Sequence, residues 1–353
     1  MTDTAELTRT AGSGEFVFTE EHDALRDVLG DFFADAGETG WHRLLSDVGV
    51  DEIVFDTGES TAVDLTILAE QAGAALFGGP LLPGVAVGAL AAYAGDTSLV
   101  EPLRDGTRTV GFAGPEAELG TNASGGVDAL LQPIWNGPGA DRVLVTGTLD
   151  GAPAVALITG IDSAVEELSG LDLSRPLGRL AITGVEPTVL LRGDDAEAAA
   201  AAIARRTGLL TAAELLGAAQ HVLDGTVGYV DKRVQFGRTI GSFQAVKHRL
   251  VDLLAAVELT RSAVYGAAWR LTDDPGSPGT DIDLAVAAVL SRQTALAVTK
   301  AAVQLHGGIA ITWEHWAHRY LRRANSTVAL TGSPSAWRQR LADLIDRRDG
   351  YGV

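Results

Sequence analysis

The chain has no cysteine among its 353 residues, which removes a disulfide framework, a thiolate nucleophile and any Cys-ligated metal from consideration. It lacks an unbroken run of 18 apolar residues, so no stretch reads as a membrane span. It lacks a basic excess: the net charge of -19 would repel nucleic acid and anionic membranes alike. The first fifteen residues are polar and partly acidic, unlike a signal peptide, and read as a disordered tail. What remains is a composition of 46% hydrophobic and 21% charged residues. That suits a cytoplasmic globular protein with two or three packed layers.

Hydrophobic spacing divides the chain into three. From Phe16 the pattern is helical: Thr19 offers a cap, Glu20 and Glu21 suit a first turn, and Leu25, Val28, Leu29 and Phe32 form one stripe. Further helices are predicted over 41–48, 61–76, 86–93 and 98–103, with Gly78-Gly79-Pro80 stopping the second of these. Between Thr107 and Leu191 short β-like runs replace them, at 109–113, 129–134, 142–146, 154–158, 180–182 and 188–191. Their close turns predict a small antiparallel barrel or sandwich. Beyond Arg192-Gly193-Asp194-Asp195 the chain is helical again, over 196–231, 243–271 and 281–305. A short helix around 315–322 follows, and a last one runs from Ser333-Pro334 to Arg348, with Pro at its first position. The expected fold class is α+β and multidomain: a tail (1–15), an N-terminal helical domain (16–105), a middle antiparallel β-domain (106–193) and a C-terminal helical bundle (194–353).

The most informative stretch is Arg233 to Lys247, RVQFGRTIGSFQAVK. Arg233, Gln235 and Gln244 bracket Phe236 and Phe243 around turns at Gly237 and Gly241. A guanidinium grips phosphate bidentately, and an aromatic ring beside it can carry a flat base. An isolated R-x-x-F-G is more often a corner with a solvated Arg. Here it is followed by Gln304-Leu305-His306-Gly307-Gly308, and the two stretches together resemble the signature of the acyl-CoA dehydrogenase family. The likeness extends over almost the whole chain, including the GGPLLP corner at Gly78–Pro83.

That resemblance implies FAD as cofactor, an acyl-CoA thioester as substrate and an electron-transfer flavoprotein as acceptor. It also implies flavin sites shared between subunits, in which Arg233, Gln235, Phe236, Phe243, Gln244, Gln304, Gly307 and Gly308 hold the pyrophosphate and adenosine of a neighbour's FAD. Glycines there let backbone approach closely, and a fork-shaped cation suits diphosphate. Arg205, Arg206, Lys232, Arg238, Lys247 and Arg249 add basic charge to this bundle, either as a patch beside the diphosphate or as a solvated helix face. His306 reads equally as a packed helix-end residue or a ligand.

Other family features are missing. The strand ending L-T-E-P, which contacts the flavin ring in the same subunit, reads Phe112-Ala113-Gly114-Pro115-Glu116 here. The W-I-T region reads Pro133-Ile134-Trp135-Asn136. These groups hydrogen-bond the ring and tune its potential. The usual catalytic Glu falls on Thr331, the alternative position on the first bundle helix falls on Thr207, and the Arg that follows it is Gly208. Glu214, two turns beyond Thr207 on the same face and among apolar neighbours, is the remaining candidate base; such a buried carboxylate is more often the partner of an Arg or a packed polar contact at an interface. Glu314 matches a position that is usually structural. Contacts to a neighbour's FAD are thus retained while contacts to the chain's own are worn. Three readings follow: a subunit completing a homologous partner's FAD site in a heterotetramer, a self-sufficient homotetramer using Glu214, and a scaffold binding no flavin.

Overall fold

A computed structural model describes residues 17–36, 40–104, 106, 108–161 and 164–348; the expected tail lies outside them. Among the described residues, five helices open the fold: α1 (Glu20–Ala36), α2 (Trp41–Ser46), α3 (Asp51–Phe55), α4 (Ala62–Ala74) and α5 (Leu81–Ala94). Thr61 and Asp64 close a capping box at the start of α4, satisfying two N–H groups that no helical carbonyl could reach. α5 begins at Leu81 rather than Ala86. Pro83 is tolerated because it sits in the first turn, whose N–H groups have no intrahelical acceptor. The helix expected over 98–103 is instead two 3-10 turns, Thr97–Leu99 and Glu101–Leu103, since Pro102 cannot donate within a continuous α-helix.

The middle strands are β1 (Val110–Thr121), β2 (Val127–Trp135), β3 (Arg142–Leu149), β4 (Ala152–Thr159), β5 (Glu166–Leu168), β6 (Leu177–Val185) and β7 (Thr188–Arg192). They form one sheet in the order β5-β6-β2-β1-β3-β4-β7. Its pairing is antiparallel, as expected, except that β1 runs parallel to β3. The cause is local. The loop 136–141 passes beneath the start of β1, where the Asp141 carboxylate accepts from Thr109 N–H at 2.7 Å, so β3 enters beside β1 in the same direction.

The C-terminal part comprises α6 (Gly193–Lys232), a tight hairpin of β8 (Val234–Gln235) and β9 (Arg238–Thr239), α7 (Gln244–Asp273), α8 (Pro278–His306), α9 (Ala317–Thr331) and α10 (Pro334–Arg348). α9 is longer than the short helix expected, because its polar Arg323, Ser326 and Thr327 point inward and are buried. α8 is long and apolar enough by composition to cross a membrane, yet 61% of that window is buried within the protein. It is a core helix of the bundle.

The two helical parts share one continuous core, which includes Leu65, Leu68 and Phe77 from the first and Leu209, Leu216, Val257 and Val298 from the second. Its tightest crossing joins α4 to α6. A Cβ on Gly217 would lie 1.8 Å from the Glu70 carbonyl oxygen, and one on Gly73 would lie 2.1 Å from that of Glu214. Only glycine lets the backbones approach so closely. A second core, including Leu131, Ile134, Val143 and Ile158, fills the sheet.

Candidate active site

A cavity of about 710 Å³ opens between the sheet and the bundle, within the size range of small-molecule sites. Phe112, Ala113, Gly114, Pro115 and Glu116 from β1 form one wall, with Pro133 and Trp135 from β2. The opposite wall is α6 around Thr207, Gly208 and Thr211, α8 around Leu284 and Arg292, and the turn from α9 to α10 at Thr331 and Gly332. The two β-segments singled out as ring-contact regions, and both positions at which a base was sought, therefore face one space.

Neither base position carries a carboxylate. The Thr207 hydroxyl donates to the Ile203 carbonyl and the Thr331 hydroxyl to that of Thr327, each at 2.7 Å. Both protons are thus committed within their own helices. The carboxylates in the cavity lining are Glu116, which is exposed, and Asp281, which the Arg205 guanidinium grips in a fork at 2.7 and 3.0 Å.

Beside Thr331 lies Arg292, which sequence reasoning did not single out. It is 1% exposed. Nε donates to the Gly332 carbonyl at 3.1 Å, Nη1 to that of Ala288 at 3.1 Å, and Nη2 to Thr331 Oγ1 at 2.7 Å and the Thr331 carbonyl at 3.4 Å. The guanidinium carbon is 5.0 Å from the centre of the Trp337 ring. Burial, with no anion to oppose it among the described residues, pushes the Arg292 pKa down to about 10. A lone Arg within the apolar run AVAAVLSRQTALAV was the available signal.

Glu214, the candidate base, does not line the cavity. It is buried in an ion pair with Arg175 at 2.5 Å, both side chains being nearly inaccessible. Arg175 lies over the Trp135 ring at 5.3 Å, so the pair braces that ring. Next to it Arg323 pairs with Asp172 and donates to Ser174 Oγ and to the Leu76 and Phe77 carbonyls. Burial alone would raise the Asp172 carboxyl; Arg323, Ser174 and Arg175 outweigh it and hold the group below the usual range. Four buried side chains thereby tie the loop before β6 to α6, α9 and the α4–α5 connection. Glu314 is exposed and outside the cavity.

The predicted cofactor contacts form a separate surface. Arg233 caps α6, Phe236 is 90% exposed at the tip of the β8–β9 hairpin with φ 56°, and its ring meets Phe243 edge-on at 6.2 Å. Arg238 covers the Phe243 ring at 3.9 Å. Gln244 opens α7, Gln304 lies in the last turn of α8, and Gly307 and Gly308 begin the 3-10 turn that follows it. The Tyr229–His306 ring stack at 4.2 Å joins the two ends, so His306 is a packing residue, with Nδ1 2.8 Å from the Ala302 carbonyl oxygen. Nothing lies within 4 Å of where a Cβ would stand on Gly237, Gly307 or Gly308. An open, glycine-floored ledge with forked cations and a free aromatic face fits a diphosphate and a flat base. Arg205 and Arg206 do not join it. They pair with Asp281 and Asp56 at the other end of α6.

None of these contact residues lines the cavity. From Thr211 to Arg233, α6 rises about 33 Å. The ledge and the cavity of one chain are therefore too far apart to grip the same small part of a ligand.

Known proteins align with this architecture. Residues 200–344 match the model for the acyl-CoA dehydrogenase C-terminal domain. Acyl-CoA dehydrogenase IpdE2 of Mycolicibacterium smegmatis is 34% identical over 309 residues, spanning 85% of this chain and 86% of the relative. Acyl-CoA dehydrogenase FadE34 of Mycobacterium tuberculosis is 36% identical over 80% of this chain, which spans only 38% of FadE34. The ChsE4–ChsE5 complex of Mycobacterium tuberculosis shares the fold, with a TM-score of 0.78 at 24% identity over 93% of this chain and 98% of the matched one.

Proposed function

The chain belongs to the acyl-CoA dehydrogenase family, and from that premise we propose that it is the subunit completing a homologous partner's FAD site in a heterotetramer. The pair would carry out α,β-dehydrogenation of an acyl-CoA thioester in the cytoplasm and pass electrons to an electron-transfer flavoprotein. The observation that carries this reading is the separation of an open ledge from a cavity whose two base positions are both threonine. The existence of a ChsE4–ChsE5 complex of the same fold agrees with it.

Bound FAD would supply hydride acceptance from the substrate's Cβ. This chain's residues would do the rest at the ledge. Arg233 would face the diphosphate, Phe236 and Phe243 would pack on the adenine side, and Gln235, Gln244 and Gln304 would donate or accept at the polar edges. Gly307 and Gly308 would let the backbone come close. The base that removes the Cα proton belongs, in this reading, to the partner. A self-sufficient homotetramer using Glu214 is disfavoured because Arg175 holds that carboxylate outside the cavity.

The test is flavin stoichiometry by visible absorbance, for the chain expressed alone and with a homologous chain that carries the full ring-contact motifs. No flavin alone and about one per pair together is the expected result. One flavin per chain alone would sink the heteromeric reading.

A further inference from the structure

The cavity combines an apolar body with a misfit charge. In a protein of net charge -19, its lining holds three arginines (Arg205, Arg292, Arg340) against two carboxylates (Asp281, Glu116). Arg205 and Asp281 neutralise each other, while Glu116 and Arg340 are exposed. Arg292 is left as a full charge in the inner wall, 1% exposed, with no acidic side chain paired to it among the described residues. Its hydrogen-bond partners are three carbonyls and the Thr331 hydroxyl. Two of those carbonyls end α9, so the guanidinium caps that helix, and a helix end presents only about half a negative charge. Of the five guanidinium N–H donors, one on Nη1 remains uncommitted.

We propose that this cavity binds an apolar monocarboxylic acid, its carboxylate accepting from the uncommitted Nη1 N–H of Arg292 beside Thr331 and its hydrocarbon body against Leu284, Phe112 and Trp135. The carboxylate supplies the counter-charge that Thr331 cannot. The cavity volume accommodates a medium-length chain, and the surrounding apolar wall strengthens a charge-assisted hydrogen bond by excluding water. The proposal rests on the reading that this cavity, walled by the altered ring-contact segments, holds no flavin of its own.

The design of the test turns on Thr331. Because Arg292 Nη2 already lies 2.7 Å from Thr331 Oγ1, Thr331→Glu places an internal carboxylate where the ligand's would sit. Arg292→Gln removes the cation instead, at some risk to the α9 terminus. The full-length protein is titrated with octanoate and with octan-1-ol, followed by calorimetry and by the fluorescence of Trp135 and Trp337, which both line the cavity. Octanoate should bind at least about tenfold more tightly than the alcohol. Both variants should lose that preference, with alcohol binding retained in Thr331→Glu. Equal affinity for acid and alcohol, no binding of either, or a Thr331→Glu protein that still prefers octanoate would each overturn the proposal and leave Arg292 as a helix cap.

Discussion

Replacing Glu214 by alanine should unfold the protein far more readily than its distance from the cavity suggests. The carboxylate and its Arg175 partner have side-chain exposures of 4% and 5%. Arg323 stands close enough that Arg175 helps hold its pKa down, after burial itself. Without Glu214, two buried guanidiniums would share one carboxylate, Asp172. Removing one member of a buried ion pair costs about 3–5 kcal/mol. At about 2 °C per kcal/mol for a large chain, the thermal midpoint should fall by about 6–10 °C. Replacing the pair together, Glu214→Leu with Arg175→Met, should recover most of the loss, because it removes the stranded charge as well. Thermal unfolding of the single and double variants, followed by circular dichroism, gives the comparison. A single-variant shift below about 1 °C would refute the ion-pair account, as would a double variant no better than the single.

Other consequences follow from the same geometry. Arg233→Ala should strip flavin from the co-expressed complex, read as visible absorbance, while leaving this chain's own melting midpoint unchanged, since Arg233 is exposed. Gly217→Ala forces a methyl into the Glu70 carbonyl and should cost about 3 kcal/mol or more, seen as a lower denaturant midpoint; a change below about 0.5 kcal/mol would mean that the crossing is looser than described. Burial is the main cause that holds the His306 and His221 side chains below the ordinary histidine pKa of 6.5. The unfolded chain therefore takes up protons near pH 6.5 that the folded one resists, so the stability these groups contribute is present above about pH 6.5 and lost as pH falls through their folded values. Melting midpoints should drop between about pH 7.5 and 5.5, and His221→Gln with His306→Gln should flatten that slope.

Much of the architecture was legible in local pattern. A period-3.6 stripe marked α1, helical spans were expected for α4, α6, α7 and α8, and short β-like runs between turns marked every strand of the sheet except β5. These signals are local because a helix or strand must present its apolar face whatever it packs against. Two short motifs were sufficient for the family, because a glycine-floored ledge with forked cations needs particular residues at particular spacings.

Other features depend on which segments meet, and spacing does not record that. The parallel entry of β3 follows from a loop passing under β1 and held by Asp141. The true length of α9 was hidden because Arg323, Ser326 and Thr327 look solvent-facing in sequence, whereas the fold buries all three and brings Asp172 and Ser174 from the loop before β6 to Arg323. Glu214 sits among apolar neighbours in the sequence and so resembles a desolvated base. Only the fold brings Arg175, distant in the chain, against it, and turns a candidate for chemistry into a brace for Trp135. The reverse holds for Arg292, an arginine among apolar residues that the packing of α8 on α9 leaves as an uncompensated charge beside Thr331. Sequence determined the elements and the two short motifs proposed for the ledge, each compact along the chain at a helix end. Tertiary structure decided which buried charges are neutralised, because counter-ions come from anywhere in the chain and burial makes each pairing matter.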